Sequence, residues 1–135
     1  MFHAWGLTEK FVTPHEKVMT SDLEFTILEC LNGLDKCGGL TEVAKGLWLV
    51  KDRIDFGKLK TYVGKMGKYT VTKRLGVILE TYKLGGEFLL NDLQKSVNKK
   101  YDLLDPLLPS EGKYSARWRL KMNVDPKELL QVVQT

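Results

Sequence analysis

Two cysteines, two histidines and four prolines are few for a chain of 135 residues, and each scarcity closes a route. Cys30 and Cys37 cannot form a disulfide framework, and a chain that is 43% hydrophobic needs none to hold one core together. That usage points to a reducing, cytoplasmic compartment. A zinc site needs convergent ligands at short spacing; Cys30, Cys37, His3 and His15 show no such spacing. Neither a Gly-x-Ser-x-Gly elbow nor a Gly-x-x-x-x-Gly-Lys phosphate cradle occurs. Glu42 and Lys45 have an order seen in nucleases, but they fall on a predicted helix as a solvated pair. No apolar run approaches the ~18 residues of a membrane span, and Met1 to Gly6 lacks the charged and apolar regions of a signal peptide. The expectation is an unexported domain with no membrane, no cofactor, no metal and no catalytic residue. The strand-like start fits a fragment cut at a domain boundary, and a short natural protein would begin the same way.

What is present is a run of amphipathic helices between strand-like ends. The first twenty residues carry aromatic and β-branched pairs around Thr13-Pro14-His15-Glu16, which predicts two or three short strands. Ser21 with Glu24 reads as a capping box, in which each side chain satisfies the other residue's backbone amide. It opens a helix with stripe Leu23, Ile27, Cys30, Leu31 and Leu34, ended near Gly33. Gly38-Gly39 opens a second, with Leu40, Val43, Ala44, Leu47 and Trp48 on one face. Asp55 caps a third with Phe56, Leu59, Val63 and Met66, stopped at Gly67. Thr70 to Gly85-Gly86 forms a fourth with Val71, Leu75, Ile78, Leu79 and Tyr82, and Leu89, Leu90, Leu93 and Val97 mark a fifth. Pro106 and Pro109 enforce an extended connection. Between Lys113 and Val124 the period changes to two, predicting one long strand with Trp118, Leu120, Met122 and Val124 on one face and Arg117, Arg119, Lys121 and Asn123 on the other. Asp125-Pro126-Lys127-Glu128 starts a closing helix. This order predicts one α+β domain over residues 1–135: a helical cluster packed on a small, mostly antiparallel sheet built from N- and C-terminal strands.

Charge is uneven along the chain. The net charge is +4, yet Lys51, Arg53, Lys58, Lys60, Lys65, Lys68, Lys73 and Arg74 fall in one segment with only Asp52 and Asp55 to oppose them, leaving the remainder slightly acidic. Lys58, Lys65, Lys68 and Lys73 therefore mark a candidate contact surface for phosphates or an acidic protein, which Arg117, Arg119 and Lys121 extend. That strand row serves equally well to stop an edge strand from pairing with a neighbour. Arg74 borders its helix's stripe and needs a carboxylate; Glu24 borders the first helix's stripe, so the expected pair is Glu24 with Arg74.

Five blocks, in order, resemble the C-terminal domain of AbiEi-type antitoxins of the type IV toxin-antitoxin systems. They are Glu24-Phe25-Thr26-Ile27-Leu28-Glu29; Gly38-Gly39 with Glu42-Val43-Ala44; Arg74-Leu75-Gly76 with Leu79-Glu80; Trp118; and Asn123-Val124. Ile54-Asp55 with Leu59 and Tyr62, and Leu104-Asp105-Pro106, also fall where that family has them. Phe25 stands where the family has arginine, and Glu29 where it has aspartate. The resemblance implies a non-catalytic antitoxin and transcription regulator of viral defence. Its winged-helix half, expected to be missing from these residues, binds operator DNA, and this half counters a nucleotidyltransferase-like toxin without an assured stable complex. Two other readings stand beside it: a nucleic-acid-binding module working through Lys58 to Arg74, with weak non-specific affinity, and a degenerate nuclease-like domain.

Overall fold

The computed structural model describes residues 22–134; the strands expected in the first twenty residues, and Ser21, lie outside the described residues. Six α-helices and a three-stranded sheet are described, so the α+β class holds. Helix α1 spans Leu23–Asn32 with Asp22 at its N-cap. The Ser21 half of the expected capping box lies outside the described residues; the buried Glu24 carboxylate accepts the backbone N–H of Asp55 at 2.8 Å. Gly33 ends α1 as predicted. Helix α2, Leu40–Leu49, starts from Gly39, whose φ of 98° excludes an ordinary side chain. Helix α3, Phe56–Met66, has both signals read from its sequence: the Asp55 carboxylate accepts Lys58 N–H at 3.1 Å, and Gly67 closes it in the left-handed region.

Helix α4, Tyr69–Tyr82, is the axle of the fold. Residues 71 to 79 are all buried, so the helix is enclosed on every side rather than along one stripe. It packs against α1, against α5 (Gly86–Lys95) and against α6 (Pro126–Gln131). Leu75, Ile78 and Leu79 have no exposed surface, and full burial of such side chains contributes about 1.5–3 kcal/mol each. Enclosure forces the polar residues of α4 inward too, and their partners explain the rest of the architecture.

The sheet contains β1 (Asp102–Leu103), β2 (Lys113–Ser115) and β3 (Leu120–Met122) in the order β1-β3-β2. β1 runs parallel to β3, with Leu103 opposite Lys121, and β2 runs antiparallel to it, with Tyr114 opposite Lys121. It is therefore a mixed sheet made of C-terminal strands among the described residues. The single strand expected from Lys113 to Val124 is a correction: residues 116–119 turn, and Arg119 adopts φ 53°. The fold breaks there to drive Trp118 into the core, where it is 2% exposed. A straight strand and a hairpin both place Trp118, Leu120 and Val124 inward, so period two alone does not separate them. The closing helix begins as expected: Asp125 accepts Lys127 N–H at 2.9 Å, and Pro126 occupies the first turn.

Candidate functional site

Two regions bear on function, one interior and one exposed. The interior one gathers most of the motif residues. Arg74, predicted to pair with Glu24, instead donates to three backbone carbonyls, Leu31 O at 2.9 Å, Leu104 O at 3.1 Å and Leu103 O at 3.3 Å. It thereby ties α1 to β1, and bonds made by a charged donor, about 1.5–3 kcal/mol each, offset its removal from water. Burial pushes the guanidinium below its ordinary value, opposed by Asp105 and Asp102 nearby. Glu24 lies across the α1–α3 seam, 3.8 Å from Lys58 Nζ. Thr26 returns its hydroxyl to Asp22 O at 3.0 Å, a local bond within α1.

Asp105, in the first turn after β1, is 3% exposed and holds two chain segments at once. Its Oδ2 accepts Leu40 N–H at 3.1 Å, which caps α2 from a distance of 65 residues, and its Oδ1 accepts Leu107 N–H at 3.0 Å. A carboxylate at that helix start also opposes the helix dipole favourably. Asn123 completes the knot: its Oδ1 accepts Asp105 N–H at 2.9 Å, and its Nδ2 donates to Asp105 O at 2.7 Å and Pro109 O at 3.1 Å. Gly39 is needed here because a Cβ would lie 3.2 Å from Asp105 Oδ2. Gly38, beside it, also has a positive φ of 87°.

Gly76 and Trp118 form the third part. A Cβ on Gly76 would sit 2.2 Å from the Trp118 ring, so the glycine is the notch that admits the indole. Trp118 Nε1 donates to Glu80 Oε1 at 2.9 Å, and Glu80 Oε2 pairs with Arg117 Nε at 2.6 Å. Glu24, Thr26, Gly38, Gly39, Arg74, Gly76, Trp118 and Asn123 thus act within the fold.

The predicted basic surface is not one surface. Lys73 leaves it altogether: it is fully buried, with Nζ 2.6 Å from both Asp102 Oδ2 and Lys100 O. Its carboxylate partner is 29 residues away, which no local pattern reveals. Lys58 is bound to Asp22 at 2.9 Å, and Tyr62 donates its hydroxyl to the same carboxylate. The Tyr62 and Lys58 hydrogen bonds hold the Asp22 carboxyl below its usual range, while Asp22 raises both Lys58 and Tyr62. Lys60 pairs with Asp92 at 2.5 Å across a groove of about 340 Å³ lined also by Lys68, Tyr69 and Ser96. Lys65 and Lys68 stay exposed.

The exposed region was only half visible in the sequence. Arg119 and Lys121 were expected to face outward, but the aromatic residues between which they sit were not singled out. Tyr101 and Tyr114 meet edge to face, ring centres 5.0 Å apart, on the outer side of the sheet. Arg119 lies 5.5 Å over the Tyr101 ring and Lys121 5.5 Å over that of Tyr114. Lys99-Lys100-Tyr101 and Lys113-Tyr114, basic residues interleaved with aromatics, were the signal.

Among the described residues no group of three or more His, Cys, Asp or Glu side chains is placed to hold a metal, and no helix is long and apolar enough to cross a membrane. No protein-family model, curated protein or solved structure matches this chain.

Proposed function

We propose that this chain is a non-catalytic regulatory module of the AbiEi antitoxin type, countering a nucleotidyltransferase-like toxin in the cytoplasm. The single observation that supports it is convergence. Blocks that lie far apart in sequence meet in two sets of contacts on α4, one joining Gly38-Gly39, Arg74, Leu104-Asp105 and Asn123 and the other joining Gly76 with Trp118, as a shared fold signature would require. The non-catalytic part draws on the use made of buried ionisable groups. Glu24, Lys73, Arg74 and Asp105 are each committed to a helix start, a strand or a backbone carbonyl, so their charge holds segments together and is not available to reacting atoms.

A toxin-antitoxin role predicts rescue. Cells expressing a nucleotidyltransferase toxin encoded beside this chain should regain growth when the chain is supplied from a second promoter. A soluble chain with a helical far-ultraviolet spectrum and no effect on growth would remove the antitoxin reading. The alternative centred on Lys58 to Arg74 loses ground, because four of that segment's cations, Lys58, Lys60, Lys73 and Arg74, are bound to carboxylates or carbonyls.

A further inference from the structure

The sheet's outer face carries a second, independent site. Pairing places Leu103, Lys121 and Tyr114 in one row across β1, β3 and β2. Leu120, next along β3, is fully buried, so this row points away from the core. Tyr114 is 64% exposed and Tyr101 37%, two large aromatic rings left to water on one side of a small sheet. The turn that carries Trp118 inward also fixes Arg119 in the left-handed region, over the Tyr101 ring and 3.3 Å from its hydroxyl. Neither Arg119 nor Lys121 has a carboxylate within ion-pair distance among the described residues, whereas Lys58, Lys60, Lys73 and Arg117 each have one.

The surroundings share that sign. Lys99, Lys100 and Lys113 are exposed beside the two tyrosines in sequence. The nearby acids are mostly committed inward: Asp102 holds Lys73 and Asp105 caps α2, which leaves Glu111. Two exposed aromatic rings beside uncompensated cations are what a flexible polyanion with stackable rings requires. An acidic peptide would use the cations and leave the rings idle. A duplex hides its base faces within the stack and needs charge alone.

We propose that Tyr101, Tyr114, Arg119 and Lys121 form a binding platform for single-stranded nucleic acid, in which the tyrosines stack on bases and the two cations, with the neighbouring lysines, hold phosphates. The platform does not rest on the antitoxin reading.

Fluorescence anisotropy of the full 135-residue chain with labelled oligomers of about 12 nucleotides tests it, with oligo-dT and oligo-U as the single strands and a duplex of equal length as the competitor. Both single strands should bind more tightly than the duplex, and the tighter of the two identifies DNA or RNA as the natural ligand class. Tyr114→Ala should weaken single-strand binding about tenfold while Tyr114→Phe, which keeps the ring, restores it. Lys121→Gln with Arg119→Gln should weaken binding and flatten its salt dependence, whereas Lys65→Gln, on α3, should leave it unchanged. Tyr114 is exposed, so its replacement spares the core, and circular dichroism verifies each variant's fold. Absence of single-strand binding at low salt, duplex preference, equal binding by Tyr114→Ala, or an acidic peptide that binds and depends on the same cations would each overturn the platform.

Discussion

Replacing Gly76 with alanine is the sharpest probe of how this fold is held. Alanine is favoured over glycine inside a helix by about 1 kcal/mol, so propensity alone predicts stabilisation. Geometry predicts the reverse. The new methyl carbon would stand 2.2, 2.4 and 2.5 Å from three atoms of the Trp118 ring, where ordinary contact begins at 3.4 Å. The indole must therefore retreat by about 1 Å. It cannot do so cheaply, because the ring is enclosed and its Nε1 is tied to Glu80 at 2.9 Å. Overpacking typically costs about 1–3 kcal/mol, and losing a buried tryptophan's contacts about 3–5 kcal/mol. Set against the propensity gain, overpacking leaves about 0–2 kcal/mol and lost tryptophan contacts about 2–4 kcal/mol, so the net destabilisation expected is about 2 kcal/mol, read from urea unfolding followed by circular dichroism. The cycle with Trp118→Leu decides the cause. In that background the notch is empty, and Gly76→Ala should become neutral or stabilising; an unchanged penalty would refute the reasoning.

Asp105→Ala should cost about 2–3 kcal/mol by stranding the N–H groups of Leu40 and Leu107, and Asp105→Asn less, as thermal unfolding would register. Lys73→Met should lower stability by about 2 kcal/mol or more despite conserving volume, since Asp102 and Lys100 O lose a fully enclosed cation, whereas Lys65→Met on the surface should change it little. The Asp22 carboxyl is held down by Tyr62 and Lys58, so its contribution is present above the ordinary carboxylate pKa and is lost as pH falls through its lower folded value. Stability should therefore drop on acidification below about pH 4, with a shallower slope in Asp22→Asn. Burial pushes Tyr82, which donates to Leu129 O at 2.7 Å, up to about 12. A raised pKa stabilises below the unfolded value near 10 and is lost as pH rises through the folded one. Ultraviolet titration should thus show Tyr82, and through Asp22 also Tyr62, ionising later than the remaining tyrosines, and Tyr82→Phe should remove the component near 12.

The helices were legible because their punctuation is local. Asp55 and Gly67 bracket α3, Gly39 starts α2, and Asp125-Pro126 starts α6 at the positions where backbone chemistry demands them. What stayed hidden was set by partners distant in sequence. Lys73 and Arg74 read as the end of a basic run, yet α4 is enclosed and both cations find acceptors from β1, its lead-in and α1. Glu24 reads as a partner for Arg74, but its carboxylate accepts the N–H of Asp55, 31 residues away. The late hairpin reads as one strand because inward and outward residues alternate identically in both. The exposed tyrosines each carry only a weak local signal, a single ring beside lysines, and it is the sheet that brings Tyr101 and Tyr114 together.

Under the proposed function this protein acts by contact and not by turnover. The direct measurement is dose dependence: toxin held at a fixed expression level, this chain varied over about two decades, colony-forming units counted, and both proteins quantified by immunoblot. Protection should rise in proportion to the amount of chain. Full protection already reached at about a hundredth of the toxin's amount would contradict action by stoichiometric contact with the toxin.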